Sequence, residues 1–348
     1  GFDVAPREVM DGESATTSRL ALIFKSHDDI RQDALALQIL SLCQAAYTAC
    51  GTDLTVVPYR VLPTSIGGVP GGVIECVPDA SSRDEIGKKM PGSLKAYFLH
   101  RFGKPNGRAF LSAQRQFLLT LAGYAVSSYL LQVKDRHNGN IMVNGHGQLI
   151  HIDFGFIFDI SPGGDMRFEN AAFKLTREMG ALLGGADIKQ SPLYAWFAQS
   201  VLRGFLAVRA RHRALAAVTV PMLTSTLRCF KGPLIGAHSP SVERLRERLG
   251  VGLDEHAAVK DMFGLIRHAN SNWRTNTYDW IQLKQQNIYY WRGKDEAEEL
   301  HIQRLMPADA LRIRGRHNAT NALAALALAC PAGCAMAPML YGLRDYLG

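Results

Sequence analysis

The sequence predicts an α+β fold in two parts: a small sheet-containing N-terminal lobe and a larger, mainly helical C-terminal lobe. Three observations carry this expectation. Short β-rich runs with a single helix occupy the chain up to Val77, and apolar patterns of helical period dominate from Pro78 onward. At roughly 100–200 residues per domain, the 348 residues also leave room for two units. The expected boundaries are a linker at 1–18, a partial small lobe at 19–77, a large lobe at 78–290 and an Ala-rich tail of no assigned role at 291–348.

Taken in order, the first eighteen residues are polar and of mixed charge, as in a loop. Leu20-Ala21-Leu22-Ile23-Phe24 is a continuous apolar run and predicts a buried strand. After Asp28-Asp29, Leu35, Ile39, Leu42, Cys43 and Ala46 recur at helical spacing, with Gly51 as the stop. Strands are expected at Leu54–Val57, Val61–Ile66 and Gly72–Val77. Ala113–Gln132 is apolar on overlapping faces, hence a buried helix. Ile141–Val143 and Leu149–Ile152 flank Asn144-Gly145, the signal of a hairpin. Further helices are expected at Leu193–Ala210, Ala214–Leu227, Ser241–Leu249, Glu255–Ala269 and Thr277–Ile288.

Composition narrows the function classes. A chain 47% hydrophobic and 20% charged is neither wholly disordered nor collagen-like. Thirty-nine Lys+Arg against 31 Asp+Glu, a net +8, suit an anionic partner such as a nucleotide, nucleic acid or lipid headgroup. The basic residues are scattered and no nucleic-acid-reading module is visible, so nucleic acid is not an expected partner. Six cysteines without a Cys-x-x-Cys pair argue against a disulfide framework or zinc ribbon and for a reducing compartment. No secretory signal is visible, and the uncharged run Ala322–Leu343 is interrupted by Pro331, Gly333 and Pro338, which weakens a membrane span.

The chemistry concentrates in Asp135-Arg136-His137-Asn138-Gly139-Asn140 and Asp153-Phe154-Gly155. Phosphoryl transfer needs oxygen ligands that hold a divalent cation against phosphates, and a group to receive the nucleophile's proton. Asp135 lies five residues before Asn140, the spacing kinases use, and Asp153 follows on the next arm of the expected hairpin. Asn140 and Asp153 are therefore candidate ligands of Mg²⁺ or Mn²⁺, cations that prefer hard oxygen donors. Asn-Gly alone is usually just a turn, and Asp-Phe-Gly alone is common by chance; together, at this spacing, they are specific. Lys25 ends the first apolar strand, where its ammonium reaches a phosphate or simply faces solvent. Asp28 to Asp33 has the same double reading, as site residues or as a charged helix start.

With these motifs go longer stretches: Phe24-Lys25-Ser26-His27-Asp28-Asp29-Ile30-Arg31-Gln32-Asp33, Asp135 to Met142, and His151-Ile152-Asp153-Phe154-Gly155-Phe156. They resemble the phosphatidylinositol 3-/4-kinase family. Ser161-Pro162-Gly163-Gly164, Phe173-Lys174-Leu175-Thr176, Arg203 to Arg209 and Thr277 to Gln282 are similar to the catalytic domain of its type III alpha phosphatidylinositol 4-kinase subgroup. The resemblance implies a bilobal kinase-like fold and transfer of the ATP γ-phosphate to the 4-hydroxyl of phosphatidylinositol in a membrane, with ATP and Mg²⁺ or Mn²⁺ as cofactors. It implies that Lys25 contacts phosphate and that Asp33 and Tyr59 line the inner nucleotide pocket. Glu75-Cys76-Val77 would be the hinge, with Glu75 and Val77 offering backbone groups to adenine, while Ile23, Met142 and Ile152 sandwich the purine. Asn140 and Asp153 would bind metal, and either Asp135 or His137 would serve the inositol hydroxyl. A cytoplasmic protein peripheral to a membrane, the plasma membrane by resemblance, with adaptor or scaffold partners, is the implied setting.

Two segments speak to the substrate. Between Phe156 and Phe173, Asp159, Asp165 and Glu169 stand against the single Arg167, without the cluster of cations that an already phosphorylated inositol would demand. Trp280, Tyr289, Tyr290 and Trp291 with Lys284 and Arg292 read equally as an interfacial segment or as a terminal helix packed on the core. The sequence departs from the family twice. Nothing before Leu20 reads as the two further strands and phosphate-covering loop of the small lobe, so an unpaired sheet edge is expected. Residues after Trp291 have no recognised counterpart. The alternatives are a phosphatidylinositol-kinase-like protein kinase and an inactive truncated scaffold. Ser161 to Thr176 argues against the first; the presence of Lys25, Asn140 and Asp153 argues against the second.

Overall fold

The computed structural model describes residues 20–90, 92–158, 160–162, 171–184, 191–224, 227–230, 240–271, 287–294 and 300–307. Small antiparallel sheets are set among predominantly helical structure, as expected. β1 (Leu22–Ser26), β2 (Val61–Ile66) and β3 (Val69–Glu75) form one sheet in the order β1-β3-β2. α1 (Arg31–Ala49) lies between β1 and β2 in sequence. A second sheet, β4-β5-β6, joins Ala80–Ser82 to Ile141–Asn144 and Leu149–His151. Between β4 and β5 run α2 (Arg83–Lys89), α3 (Leu94–Phe102) and α4 (Arg108–Leu131). After β6 come α5 (Arg177–Leu182), α6 (Pro192–Arg209), α7 (His212–Thr219), α8 (Pro240–Arg248) and α9 (Glu255–Ser271). β7 (Asn287–Lys294) and β8 (Leu300–Pro307) pair as an antiparallel hairpin.

The core forms around α4, whose residues from Phe117 to Leu131 are buried with the exception of Tyr129. α1 adds Leu35, Ile39, Leu40, Cys43 and Tyr47, spaced to share one stripe. α6 adds Phe197, Val201, Phe205 and Val208 in the same way. Small residues let the extended connection around Leu54 and Thr55 lie close against these helices. A Cβ on Gly204 of α6 would lie 2.4 Å from Leu54 Cδ1, and one on Gly123 of α4 would lie 2.6 Å from the Thr55 carbonyl oxygen. α2 begins with a reciprocal cap in which Ser82 accepts from Glu85 N–H and Glu85 accepts from Ser82 N–H.

The structure corrects several expectations. β1 is exposed throughout rather than buried: Ile23 is 47% and Phe24 67% accessible. It is an edge strand, paired only with β3 among the described residues, so an apolar run is not enough to enclose it. Leu54–Val57 is an extended connection and not a strand. Leu54 and Val56 are buried, but the Val56 N–H donates to Gln44 and the Val57 carbonyl accepts from the Tyr124 hydroxyl, so side chains take the place of a ladder. The helix expected over Ala214–Leu227 stops at Thr219 and tightens into a 3₁₀ segment, Val220–Thr224, at Pro221, which lacks an N–H. β4 had no signal of its own. Residues 277–286 of the last expected helix lie outside the described residues, and 287 and 288 open β7. The run Ile288-Tyr289-Tyr290-Trp291 is β-branched and aromatic, which favours a strand. β7 thus runs through residue 291, where the tail was expected to begin. The linker at 1–18 and most of the tail, including Ala322–Leu343, lie outside the described residues. Among the described residues no helix is long and apolar enough to cross a membrane.

Candidate active site

The β5–β6 hairpin builds one wall of a cleft. Asn144 Oδ1 accepts from the N–H groups of His146 and Gln148 at 3.0 Å and closes the turn that Asn-Gly predicts. Ile141 pairs with His151, and the Ile152 N–H continues the contact by donating to the Asn140 carbonyl at 3.2 Å. Asn140 and Asp153 therefore sit at the same end of the ribbon, on opposite arms. The opposite wall is the first sheet. Ile23 pairs with Ile74 and Lys25 with Gly72, and strand alternation puts Ile23 and Lys25 on the cleft face.

The cleft has a volume of about 860 Å³ and gathers every site residue expected from the sequence. Ile23, Met142 and Ile152 contribute apolar lining, Glu75 and Val77 lie where the chain passes from β3 toward β4, and Lys25, Asp33, Tyr59, Asp135, His137, Asn140 and Asp153 contribute polar lining. Lys25 Nζ lies 3.1 Å from the Asp28 carboxylate, both side chains being about half exposed. Glu75 is turned onto Arg60, whose Nε and Nη2 both lie at 3.0 Å, and this bond holds its carboxyl below the ordinary range.

Backbone geometry is unusual where the carboxylates project. Asp135 and Asp153 both have φ of +61°, a region L-residues with a Cβ seldom enter. Asn140 is buried, and its Nδ2 donates to the Asp135 carbonyl at 3.0 Å, which leaves Oδ1 as its acceptor atom. His137 Nδ1 accepts the Gly139 N–H at 2.9 Å. Burial lowers the pKa of His137; Arg136 and Lys174 push the same way, against the opposing charges of Asp135 and Asp153. Burial pushes Asp33 up to about 6; the Phe154 N–H that it accepts at 2.8 Å opposes this, and the charges of Asp153 and Asp28 reinforce it.

Three residues that sequence reasoning missed complete the surroundings. Arg136, 3% exposed, donates to the carbonyls of Lys134, Ile152 and Asp153 and lies over the Phe154 ring at 5.6 Å. Gln32, 6% exposed, donates to the Phe154 carbonyl at 2.9 Å. Lys174, also buried, donates to the Arg136 carbonyl at 2.7 Å. A signal existed for Gln32: it shares the stripe of Leu35, Ala36 and Ile39, a polar residue at a core position. Arg136 lies within a recognised motif but acts on backbone, which no pattern displays, and the Phe173 to Thr176 stretch carries a resemblance without a role for Lys174.

Asp159, Asp165, Arg167 and Glu169 lie outside the described residues, as do Trp280 and Lys284. Residues 19–91 and 80–232 match the family described as phosphatidylinositol 3- and 4-kinase. Phosphatidylinositol 4-kinase alpha 1 of Arabidopsis thaliana is 41% identical over 288 residues, which cover 82% of this chain and 14% of that protein. Phosphatidylinositol 4-kinase STT4 of Saccharomyces cerevisiae is 43% identical over 270 residues, 78% of this chain and 14% of its own length. Phosphatidylinositol 4-kinase alpha 2 of Arabidopsis thaliana is 40% identical over 280 residues, 80% of this chain and 50% of its own. The chain thus spans half or less of these relatives. A hairpin carrying Asn140 and Asp153 opposite a strand carrying Lys25, in a sequence matched over most of its described length, has one explanation: this chain belongs to the phosphatidylinositol 3- and 4-kinase family.

Proposed function

We propose that this domain transfers the γ-phosphate of ATP to the 4-hydroxyl of phosphatidylinositol at a membrane surface, acting as a peripheral protein. The observation that carries this reading is that Lys25, Asp135, His137, Asn140 and Asp153 all line a single cleft. The names of the similar proteins supply the lipid and the position of the hydroxyl. The acidic sequence of the segment after Asp-Phe-Gly favours an inositol ring without extra phosphates.

Two residues of the cleft fit a divalent cation by donor chemistry. One carboxylate, Asp153, and one amide oxygen, Asn140, are the hard donors that Mg²⁺ or Mn²⁺ accepts while keeping places for water and phosphate. When bound, such a cation neutralises charge on the phosphate oxygens. Lys25 adds a positive charge from the opposite wall once its ammonium turns from Asp28 to phosphate. At the hinge, the N–H groups of Glu75 and Cys76 are taken by the carbonyls of Arg60 and Ala21. Among the described residues no backbone carbonyl accepts the Val77 N–H, which leaves it to bond the adenine edge.

Between the two candidates for the inositol hydroxyl, the hydrogen bonding favours a division of labour. His137 Nδ1 accepts from Gly139, so the proton of the neutral ring resides on Nε2. Nε2–H is then a donor that orients oxygen, and the Asp135 carboxylate is the acceptor. As the hydroxyl oxygen attacks phosphorus, its proton passes to Asp135, the bond from γ-phosphorus to the bridging oxygen breaks, and ADP leaves. The deciding experiment incubates the protein with phosphatidylinositol vesicles, ATP and Mg²⁺ and identifies the product by mass spectrometry and chromatography. Phosphatidylinositol 4-phosphate is expected; phosphate on another hydroxyl, on peptide or only on water would overturn the reading.

A further inference from the structure

Asp153 is held in the left-handed region, an arrangement that persists only where the surroundings over-determine it. Its surroundings do so peptide by peptide. The Ile152 carbonyl accepts from Arg136 Nη1 at 2.7 Å, and the Asp153 carbonyl accepts from Arg136 Nη2. The Asp153 N–H donates to the Tyr59 hydroxyl at 3.3 Å. The Phe154 N–H donates to Asp33 at 2.8 Å, and the Phe154 carbonyl accepts from Gln32 Nε2 at 2.9 Å. Each polar backbone group from the Ile152 carbonyl to the Phe154 carbonyl is thus tied to a side chain.

These ties come from two directions. Arg136 belongs to the same wall as Asp153. Gln32 and Asp33 belong to the first turn of α1 and Tyr59 to the connection before β2, more than ninety positions away in sequence. Gln32 has the most restricted task, because it is buried and its amide N–H meets the one group that marks the far end of the Asp153–Phe154 unit. Remove that donor and a buried carbonyl loses its partner, so the Phe154–Gly155 peptide gains a reason to rotate. The N–H at the other end of that same peptide, on Gly155, donates to Asp153 Oδ1 at 3.1 Å, so the carboxylate loses its aim with it.

We infer that Gln32 is a positioning residue for the divalent-cation site: by clasping the Phe154 carbonyl from the first turn of α1, it sets the direction of the Asp153 carboxylate. The inference rests on the reading of Asp153 as a cation ligand proposed above. It adds that cation affinity depends on a helix of the nucleotide-facing sheet region, through a side chain that need not touch the cation.

The test compares wild type with Gln32→Leu and with Gln44→Leu, a control on the same helix. Gln44 also holds a distant backbone group, accepting the Val56 N–H at 2.8 Å, but lies three turns from the site. In protein free of metal and nucleotide, hydrogen exchange of the peptide spanning Asp153–Gly155 should quicken about tenfold in Gln32→Leu and stay unchanged in Gln44→Leu. By calorimetry, the gain in ATP affinity on replacing EDTA with Mg²⁺ should shrink about tenfold in Gln32→Leu only. Gln32→Glu, which keeps the size but turns an acceptor toward the carbonyl, should reproduce both effects if the leucine variant does not fold. Equal losses of melting temperature in the two variants, with exchange and Mg²⁺ dependence both unmoved in Gln32→Leu, would reduce Gln32 to a packing residue and overturn the inference. A wild type without any Mg²⁺-linked gain would overturn the cation reading itself, and the metal-free exchange result would then report on the clasp alone.

Discussion

β1 and the β5–β6 hairpin contribute to the same cleft, yet all of β1 is exposed while every residue of β5 and β6 except Met142 is buried. β1 is held by its ladder to β3, and its cleft-facing Lys25 pairs with an exposed Asp28. The hairpin is packed on α4, its turn is closed by Asn144, and the residues beyond it are tied by Arg136, Asp33 and Gln32. Groups proposed to hold the cation and receive the proton sit on the firmly built wall, and the group proposed to meet phosphate sits on the loosely built one. The contrast teaches that chemistry and nucleotide affinity should respond to substitution separately, according to which wall is touched.

The sharpest way to break this contrast is Asp153→Asn. Phosphorylation of the lipid should fall by roughly a thousandfold while the circular dichroism spectrum and cooperative melting persist. Wild-type turnover in a radiometric lipid assay would end the assignment. Next comes the pair Asp135→Asn and His137→Gln: the first should lose about a hundredfold or more in kcat, the second only about tenfold, because glutamine still offers an N–H donor. The reverse order would hand the proton to His137.

On the other wall, Lys25→Met should raise KM for ATP about tenfold and lower kcat less than the substitutions above, as measured in steady state. A loss equal to that of Asp153→Asn would erase the distinction between walls. The smallest effect is on stability. Asp33, with its folded pKa raised to about 6 from the ordinary 3.8, binds its proton more tightly folded than unfolded. Its contribution is therefore fully present below about pH 4 and is lost as pH rises through about 6. Asp33→Asn avoids burying a charge and keeps an acceptor for the Phe154 N–H. It should be more stable than wild type by about 1–3 kcal/mol above pH 6 and show no gain below pH 4, by denaturant melts across that range.

What could be read before folding was local. Ile141–Val143, Asn144-Gly145 and Leu149–Ile152 spell a hairpin within a dozen positions, and the Asp135 to Asn140 spacing needs no tertiary information. The helical stripes of α1, α4 and α6 were legible because burial imposes their period. What escaped was set by partners far along the chain. The exposure of β1 depends on which strands flank it, and Leu54–Val57 has the composition of a strand but meets Gln44 and Tyr124 instead of a neighbour. The polar run at the head of α1 conceals Gln32 turned inward, and only its match to the apolar stripe hints at it. Arg136 spends its donors on carbonyl oxygens, which every residue possesses.

Phe154 is fully enclosed, with both its amide groups engaged and its ring beneath the Arg136 guanidinium. An inhibitor that makes room for itself by swinging this phenylalanine outward would have to sever those hydrogen bonds and strip a cation of its aromatic cover before gaining any contact. Compounds shaped to the cleft as it stands face no such toll, and medicinal chemistry against this domain should begin from them.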